Sequence, residues 1–155
     1  MARKDYYHVS NAPKPNSIVP AASAVVINDK GQILLHRRKD NNFWSLLGGA
    51  MIPGESISET AIREVYEESN IRIKVDKLIG VYSDPQHIIE YSDGEIRQQF
   101  SLCFLCSVVS GEIKISKESL EVKFFDLSEL NNINLHPAQI IRISDYQKNS
   151  EKTFY

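Results

Sequence analysis

The chain has 155 residues, of which 42% are apolar and 25% charged, and its net charge is -2. That length and composition suit one globular domain with one core, and the lack of basic excess excludes a nucleic-acid-binding surface of the usual kind. No polybasic cluster marks a membrane surface, and the longest apolar runs, over 21–27 and 102–109, are strand-sized and far short of a bilayer span.

The first residues, "MARKDYYHVSNAPKPNS", contain no apolar segment of the signal-peptide kind, so a cytoplasmic protein is expected. Residues 1–19 are polar and carry Pro13 and Pro15; they read as an N-terminal arm or edge segment of a domain spanning 1–155. "AASAVVIND" (21–29) and "QILLHRR" (32–38) read as two strands joined at Lys30-Gly31, a hairpin. "KDNN" is a loop, and "FWSLLGGAM" is an extended segment broken at Gly48-Gly49.

A helix follows. Ser56 and Glu59 form an S-x-x-E capping box, and Ile57, Ala61 and Val65 recur every four residues. It should end near Ser69, with Asn70 as a left-handed cap. "IRIKVDKLIGVYS" alternates like a strand. "HIIEY", the turn "SDGE" and "IRQQFSLCFLCSVV" read as a long hairpin. Cys103 and Cys106 are spaced C-x-x-C, but three residues apart on a strand they point to opposite faces, and no second pair completes a zinc site. "VKFFDL" (122–127) is a further strand, Ser128 can cap a short helix, and "HPAQIIRISDYQ" is a final helix with Pro137 in its first turn. Strands mixed with helices predict an α/β layered domain.

The chemistry concentrates in "REVYEE". On a helix Glu64, Glu67 and Glu68 are i, i+3 and i+4, so they share one face, and that face adjoins the apolar stripe. Carboxylates converging at a half-buried spot cannot all stay ionised without a cation. Oxygen-only ligands select a hard ion, Mg²⁺ or Mn²⁺, which usually works on phosphates. A solvated acidic helix face is the plain alternative. Two details count against it: the glycines preceding the helix permit close backbone approach, and Arg63, spaced i+4 from both Glu59 and Glu67, can brace the cluster.

These residues resemble the Nudix box of the Nudix (MutT-like) hydrolases, whose bacterial members the flanking segments also resemble. The pattern is G-x5-E-x7-R-E-U-x-E-E-x-G-U, with U a bulky aliphatic. Here Gly49, Glu55, Arg63, Glu64, Val65, Glu67, Glu68 and Ile71 match it. Asn70 replaces the second glycine, a mild change because Asn tolerates the left-handed conformation. Leu47 stands where many members carry Pro. The likeness covers about residues 13–143 and implies an α/β/α sandwich around a mixed β-sheet. It implies hydrolysis of a nucleoside diphosphate linked to another group, with Mg²⁺ or Mn²⁺ as cofactor. It also leaves room for a homodimer.

By the same resemblance Gly49 (through its carbonyl), Glu64, Glu67 and Glu68 hold metal, Arg63 orients the glutamates, and Glu55 is outer-sphere or structural. Glu64 is a candidate for activating water. In some members that task falls to a later glutamate, for which Glu118 is the candidate and Glu121 the alternative. Arg37, Arg38, Trp44, Arg97 and Gln99 are candidates for substrate binding, with Gln98, His87 and Tyr91 near the same cleft; His136 reads as a helix-start residue. The expected partner is a small-molecule nucleotide: ADP-ribose, a nucleotide sugar or a nucleoside triphosphate, with a dinucleoside polyphosphate also open. The alternative is a Nudix-like nucleotide sensor without turnover, against which the complete glutamate set argues. A third reading, action on capped RNA ends, is disfavoured by the near-neutral charge.

Overall fold

The computed structural model describes residues 3–148; the ends of the expected domain, 1–2 and 149–155, lie outside the described residues. The strands are β1 (Arg3–Tyr7), β2 (Ser17–Ile27), β3 (Ile33–Arg38), β4 (Trp44–Ser45), β5 (Leu47–Ala50), β6 (Arg72–Tyr82), β7 (His87–Tyr91), β8 (Ile96–Ser110) and β9 (Ser119–Phe125). The helices are α1 (Ile57–Ser69) and α2 (Pro137–Lys148), with a short 3-10 helix at Leu127–Asn132.

All strands join one mixed sheet. Its spine is the parallel pair β2–β8, in register from Ser17 opposite Arg97 to Ile27 opposite Ser107. The far edge of β8 pairs antiparallel with β7 and then β6, and β1 adds itself outside β7. The free edge of β2 takes β5 and then β3, which carries β4 and β9.

Strict alternation on the central strands builds a core on each face. Ala22, Ala24, Val26, Leu34, Phe104 and Cys106 meet Ala61 and Val65 of α1 on one face. Val25, Ile33, Leu35, Cys103 and Phe125 meet Leu130 and Ile143 on the other. This is the expected α/β/α sandwich. It also separates the cysteines as their spacing predicts: both are free, buried and on opposite faces.

Helix α1 begins and ends as its sequence dictates. The Ser56 side chain accepts from the Glu59 N–H at 3.3 Å, and Glu59 accepts from the Ser56 N–H at 2.6 Å. Asn70 sits at φ 65°, ψ 11°, and its N–H reaches the Tyr66 carbonyl. Val65 is fully buried, a side chain contributing roughly 1.5–3 kcal/mol through burial alone.

Of the two readings of residues 1–19, arm or edge segment, residues 3–7 take the second as the edge strand β1. Two local expectations change. The break in "FWSLLGGAM" falls at Leu46, because Gly48 and Gly49 continue β5 against Ser23 and Ala22. The 3-10 helix is capped at Asp126, whose N–H is held by the Glu129 carboxylate at 2.9 Å, so Ser128 is not the cap.

Candidate active site

Strand β5 delivers two glycines against the C-terminal half of α1, where a side chain on either would intrude. A methyl on Gly48 would collide with the Ala22 carbonyl of the neighbouring strand, and one on Gly49 with the Glu64 carboxyl. The close approach lets the Gly48 N–H donate to Glu68 Oε1 at 2.8 Å.

The glutamates then separate by depth. The Glu67 side chain is 56% exposed and Glu68 only 4%. Glu68 is pushed up to about 8, first by burial and then by the charge of Glu64, against which the Gly48 hydrogen bond works. Its second oxygen, Oε2, is buried with no hydrogen-bond donor. His36 lies beneath it, Nδ1 3.5 Å from Oε2, but cannot supply the missing charge. Burial and then Arg38 push this imidazole down to about 3, and its Nδ1 lies 2.8 Å from Ser119 Oγ. Burial also raises Glu64.

Arg63 braces this cluster with all five of its donors. Two go to Glu55 (2.9 and 2.8 Å), one each to Glu64 (2.9 Å) and Glu67 (3.2 Å), and one to the Ala50 carbonyl (3.0 Å). The hydrogen bond from Arg63 holds Glu55 well below the usual carboxylate range. Glu59, expected as a partner of Arg63, serves the capping box instead.

Glu118 lies on the loop before β9 and lines one cleft with Gly48, Gly49, Glu64, Glu67 and Glu68. Glu121 does not line it: it faces Arg37 across the β3–β9 pair and accepts its guanidinium at 2.7 Å. Arg37 is thereby consumed as well, with Asn42 as its other partner. Alternation turns Arg38 to the cleft, where Asp40 holds it through two bonds of 2.9 and 2.7 Å.

Two other expected substrate residues lie elsewhere. Trp44 is 8% exposed and packs edge-on against Phe125, at 4.7 Å between ring centres, within the α2-side core. Its ring is thereby withdrawn from the cleft. Arg97 is neutralised by Glu95 and lies over the Tyr91 ring. Tyr91 itself does line the cleft.

Behind Gly48-Gly49 is a second, inner cavity, lined by Gln99, His87, Asp5, His136, Gln139 and Arg142; Arg3 and Arg38 border both spaces. The sequence reading missed Arg3, Asp5, Gln139 and Arg142. A strand assignment for residues 3–7 would have placed Arg3 and Asp5 on one face, and i,i+3 spacing does the same for Gln139 and Arg142.

Asp5, His87 and His136 bring their ligand atoms within 4.8 Å of one another. The hydrogen bonding makes this a held carboxylate and not a cation site. His136 Nδ1 accepts the Ala138 N–H at 3.2 Å, so its proton sits on Nε2, 3.3 Å from Asp5. His87 Nε2 lies 3.1 Å from the other oxygen. Burial pushes Asp5 up, but the hydrogen bonds with His136 and His87 outweigh it and hold the carboxyl far below its usual range. The fully buried Arg142 adds positive charge nearby.

A cleft of convergent glutamates behind a glycine pair, braced by one arginine, is the setting in which the family comparison falls. Residues 18–145 match the NUDIX domain. The chain belongs to the Nudix family. Nudix hydrolases act on pyrophosphate bonds, and this chain is an enzyme of that kind. It is 34% identical over 131 residues to an ADP-ribose pyrophosphatase of Methanocaldococcus jannaschii, covering 79% of this chain and 70% of that one. It is 45% identical over 65 residues to a putative 8-oxo-dGTP diphosphatase of Bacillus subtilis, where it spans 42% of this chain and only 44% of the relative. The crystal structure of an ADP-ribose pyrophosphatase from Streptococcus suis shares the fold, with a TM-score of 0.66 at 20% identity, covering 90% of this chain and all of that one. Among the described residues no helix is long and apolar enough to cross a membrane.

Proposed function

We propose that this Nudix enzyme is a divalent-metal-dependent hydrolase of nucleoside diphosphate derivatives, with ADP-ribose, nucleotide sugars and nucleoside triphosphates as the classes to test first. The observation that carries the reading is Glu68. A buried carboxylate oxygen without a donor costs about 1–3 kcal/mol or more unless something positive meets it. The available donors are all hard oxygens: Glu64, Glu67, Glu68 and the Gly49 carbonyl. That set fits Mg²⁺ or Mn²⁺. When bound, such an ion neutralises phosphate oxygens and lowers the pKa of a coordinated water.

The chain's own residues supply the rest. Arg63 fixes the directions of Glu64 and Glu67 while Glu55 fixes Arg63. Glu118, on the opposite wall of the cleft, is the candidate for a further ligand or for the base that takes the proton of the attacking water; Glu64 is the other. Arg38 stands where it can meet a phosphate, held by Asp40 so that little side-chain freedom is lost on binding. The likeness to the ADP-ribose pyrophosphatases named above supports placing ADP-ribose in the panel.

The experiment is phosphate release, coupled to a phosphatase, from ADP-ribose, nucleotide sugars, canonical and oxidised triphosphates, and dinucleoside polyphosphates. Each is run with Mg²⁺, with Mn²⁺ and with chelator. Turnover of one class that chelator abolishes is the expected result. Nucleotide binding without any turnover would make the protein a sensor and overturn the reading.

A further inference from the structure

Strand β9 enters the sheet through an irregularity. Along its pairing with β3, Val122 faces His36 and Glu121 faces Arg37, but Arg38 faces Ser119, so Leu120 is skipped. In an unbroken strand Leu120 would share the buried face of Val122, two residues on. The extra residue reverses that: Leu120 is 41% exposed and Ser119 only 2%. Bulges re-aim side chains beside active sites, and this one turns a leucine out to water and a serine inward. It thereby delivers a hydroxyl, Ser119 Oγ, to within 2.8 Å of His36 Nδ1.

The fully buried imidazole stands between two elements of the site. On one side of Nδ1 is Ser119 Oγ; on the other is Glu68 Oε2 at 3.5 Å, the carboxylate oxygen that has no donor. A ring nitrogen carries one hydrogen or one lone pair, so it serves only one of two oxygens in full. Beyond Ser119 the contacts run on into the loop. Ser119 Oγ lies 3.4 Å from Ser116 Oγ, and Ser116 Oγ accepts the Glu118 N–H at 3.3 Å. The Ser119 N–H returns to the Ser116 carbonyl at 3.4 Å. All three distances exceed the usual range for such bonds, so the turn over 116–119 is loosely held. The backbone of Glu118 therefore leans on the hydroxyls that reach His36, while Glu118 itself lines the cleft.

We propose that His36 and Ser119 are positioning residues that couple Glu68 to the Glu118 loop. The proposal rests on the metal-dependent function given above and extends it to how the two walls of the cleft are brought into step. When the glutamates hold a divalent ion, Glu68 Oε2 is satisfied and no longer competes for Nδ1. His36 then serves Ser119 alone, the turn over 116–119 tightens, and Glu118 is fixed on its wall as the cleft is loaded. Both positioning residues are buried and neither lines the cleft, so they act through Glu68 and Glu118 and not on the substrate. A packed group with two alternative partners is the kind of element that passes a signal between two places.

The test reads the loop directly, by amide hydrogen exchange over residues 114–119 with Mg²⁺ and with chelator, beside Mg²⁺ calorimetry. In the wild type Mg²⁺ is expected to slow exchange in this segment by about tenfold. Ser119→Ala should still bind Mg²⁺ but abolish the slowing, and Ser119→Thr, which keeps the hydroxyl, should restore it. Turnover gives a second readout: Ser119→Ala should lower kcat by about tenfold with KM unchanged, and should add nothing in a Glu118→Gln background. Slowing that persists in Ser119→Ala, or that is absent from the wild type, overturns the proposal, as does an equal loss of kcat in both backgrounds. Slowing that depends on Ser119, in a protein that hydrolyses nothing, leaves the coupling standing and removes the hydrolase reading. Metal-dependent hydrolysis with a loop that ignores Ser119 does the reverse.

Discussion

Two carboxylates are withdrawn from solvent in this protein, Glu68 fully and Asp5 for the most part, and they end in opposite states. Asp5 is flanked by His87 and His136 with Arg142 nearby, and stays ionised far below its usual range. Glu68 receives one backbone N–H, faces a neutral His36 and another carboxylate, and rises to about 8. Burial disfavours charge in both; the difference is in the partners. Asp5 is complete within the protein, a structural anion tying β1 to β7 and the start of α2. Glu68 is incomplete, and that incompleteness is what makes it useful. A site that must take up a cation cannot already have neutralised its ligands.

The comparison breaks most visibly if both metal-side charges are removed. Glu67→Gln with Glu68→Gln is expected to lower metal-dependent turnover by roughly 10³-fold, the several kcal/mol that a positioned divalent ion supplies, while thermal stability in chelator holds or rises. Phosphate release and melting on the same preparation check it; unchanged turnover would remove the assigned metal site. Gly49→Ala comes next. The methyl displaces the Glu64 carboxyl without deleting it, and a shift of this size should cost about 10²-fold in turnover. Asp5→Asn should do the opposite of the glutamate pair. It leaves two imidazoles and a buried guanidinium without their anion, lowering stability by about 1–3 kcal/mol in urea unfolding.

The smallest effect is on pH. Metal-free folded protein binds a proton at Glu68 that the unfolded chain releases above its ordinary value of 4.5. Stability from this group is therefore level below that pH and falls as pH rises toward 8. Asp5 has the reverse sign. Its contribution is fully present above its ordinary 3.8 and is lost only in stronger acid. The depressed His36 works against this slope, since its contribution rises with pH up to its ordinary 6.5, so the sign is read by difference: between pH 5 and pH 8 in chelator the wild-type melting midpoint should fall relative to that of Glu68→Gln, and Mg²⁺ should shrink the difference.

The half of the site built from contiguous sequence was legible. The capping box, the left-handed Asn70 and the glutamates at i, i+3 and i+4 are local patterns, and local patterns carry their geometry with them. Arg37 shows the limit. Neighbours on one strand, Arg37 and Arg38 point to opposite faces, but no local pattern says that Glu121, eighty-four residues away, takes Arg37. Trp44 and Arg97 were misplaced for the same reason, since Phe125 and the Glu95–Tyr91 pair decide them by packing. The inner cavity draws on β1, β2, β7, β8 and α2, and no spacing rule spans such distances.

The parallel spine has a consequence in time. β2 and β8 are joined residue by residue from Ser17–Arg97 to Ile27–Ser107, a separation of eighty residues at every rung. Ordering so long an intervening chain carries a loop-closure cost before any rung rewards it, and sheets of this kind fold slowly. Helix α1 can form early from its own caps. The glycines it must meet are held on β2, and the walls of the inner cavity are held on β8. The glutamates are therefore assembled on their helix well before they have a cleft to face, and the appearance of activity during refolding should report the closing of that seam.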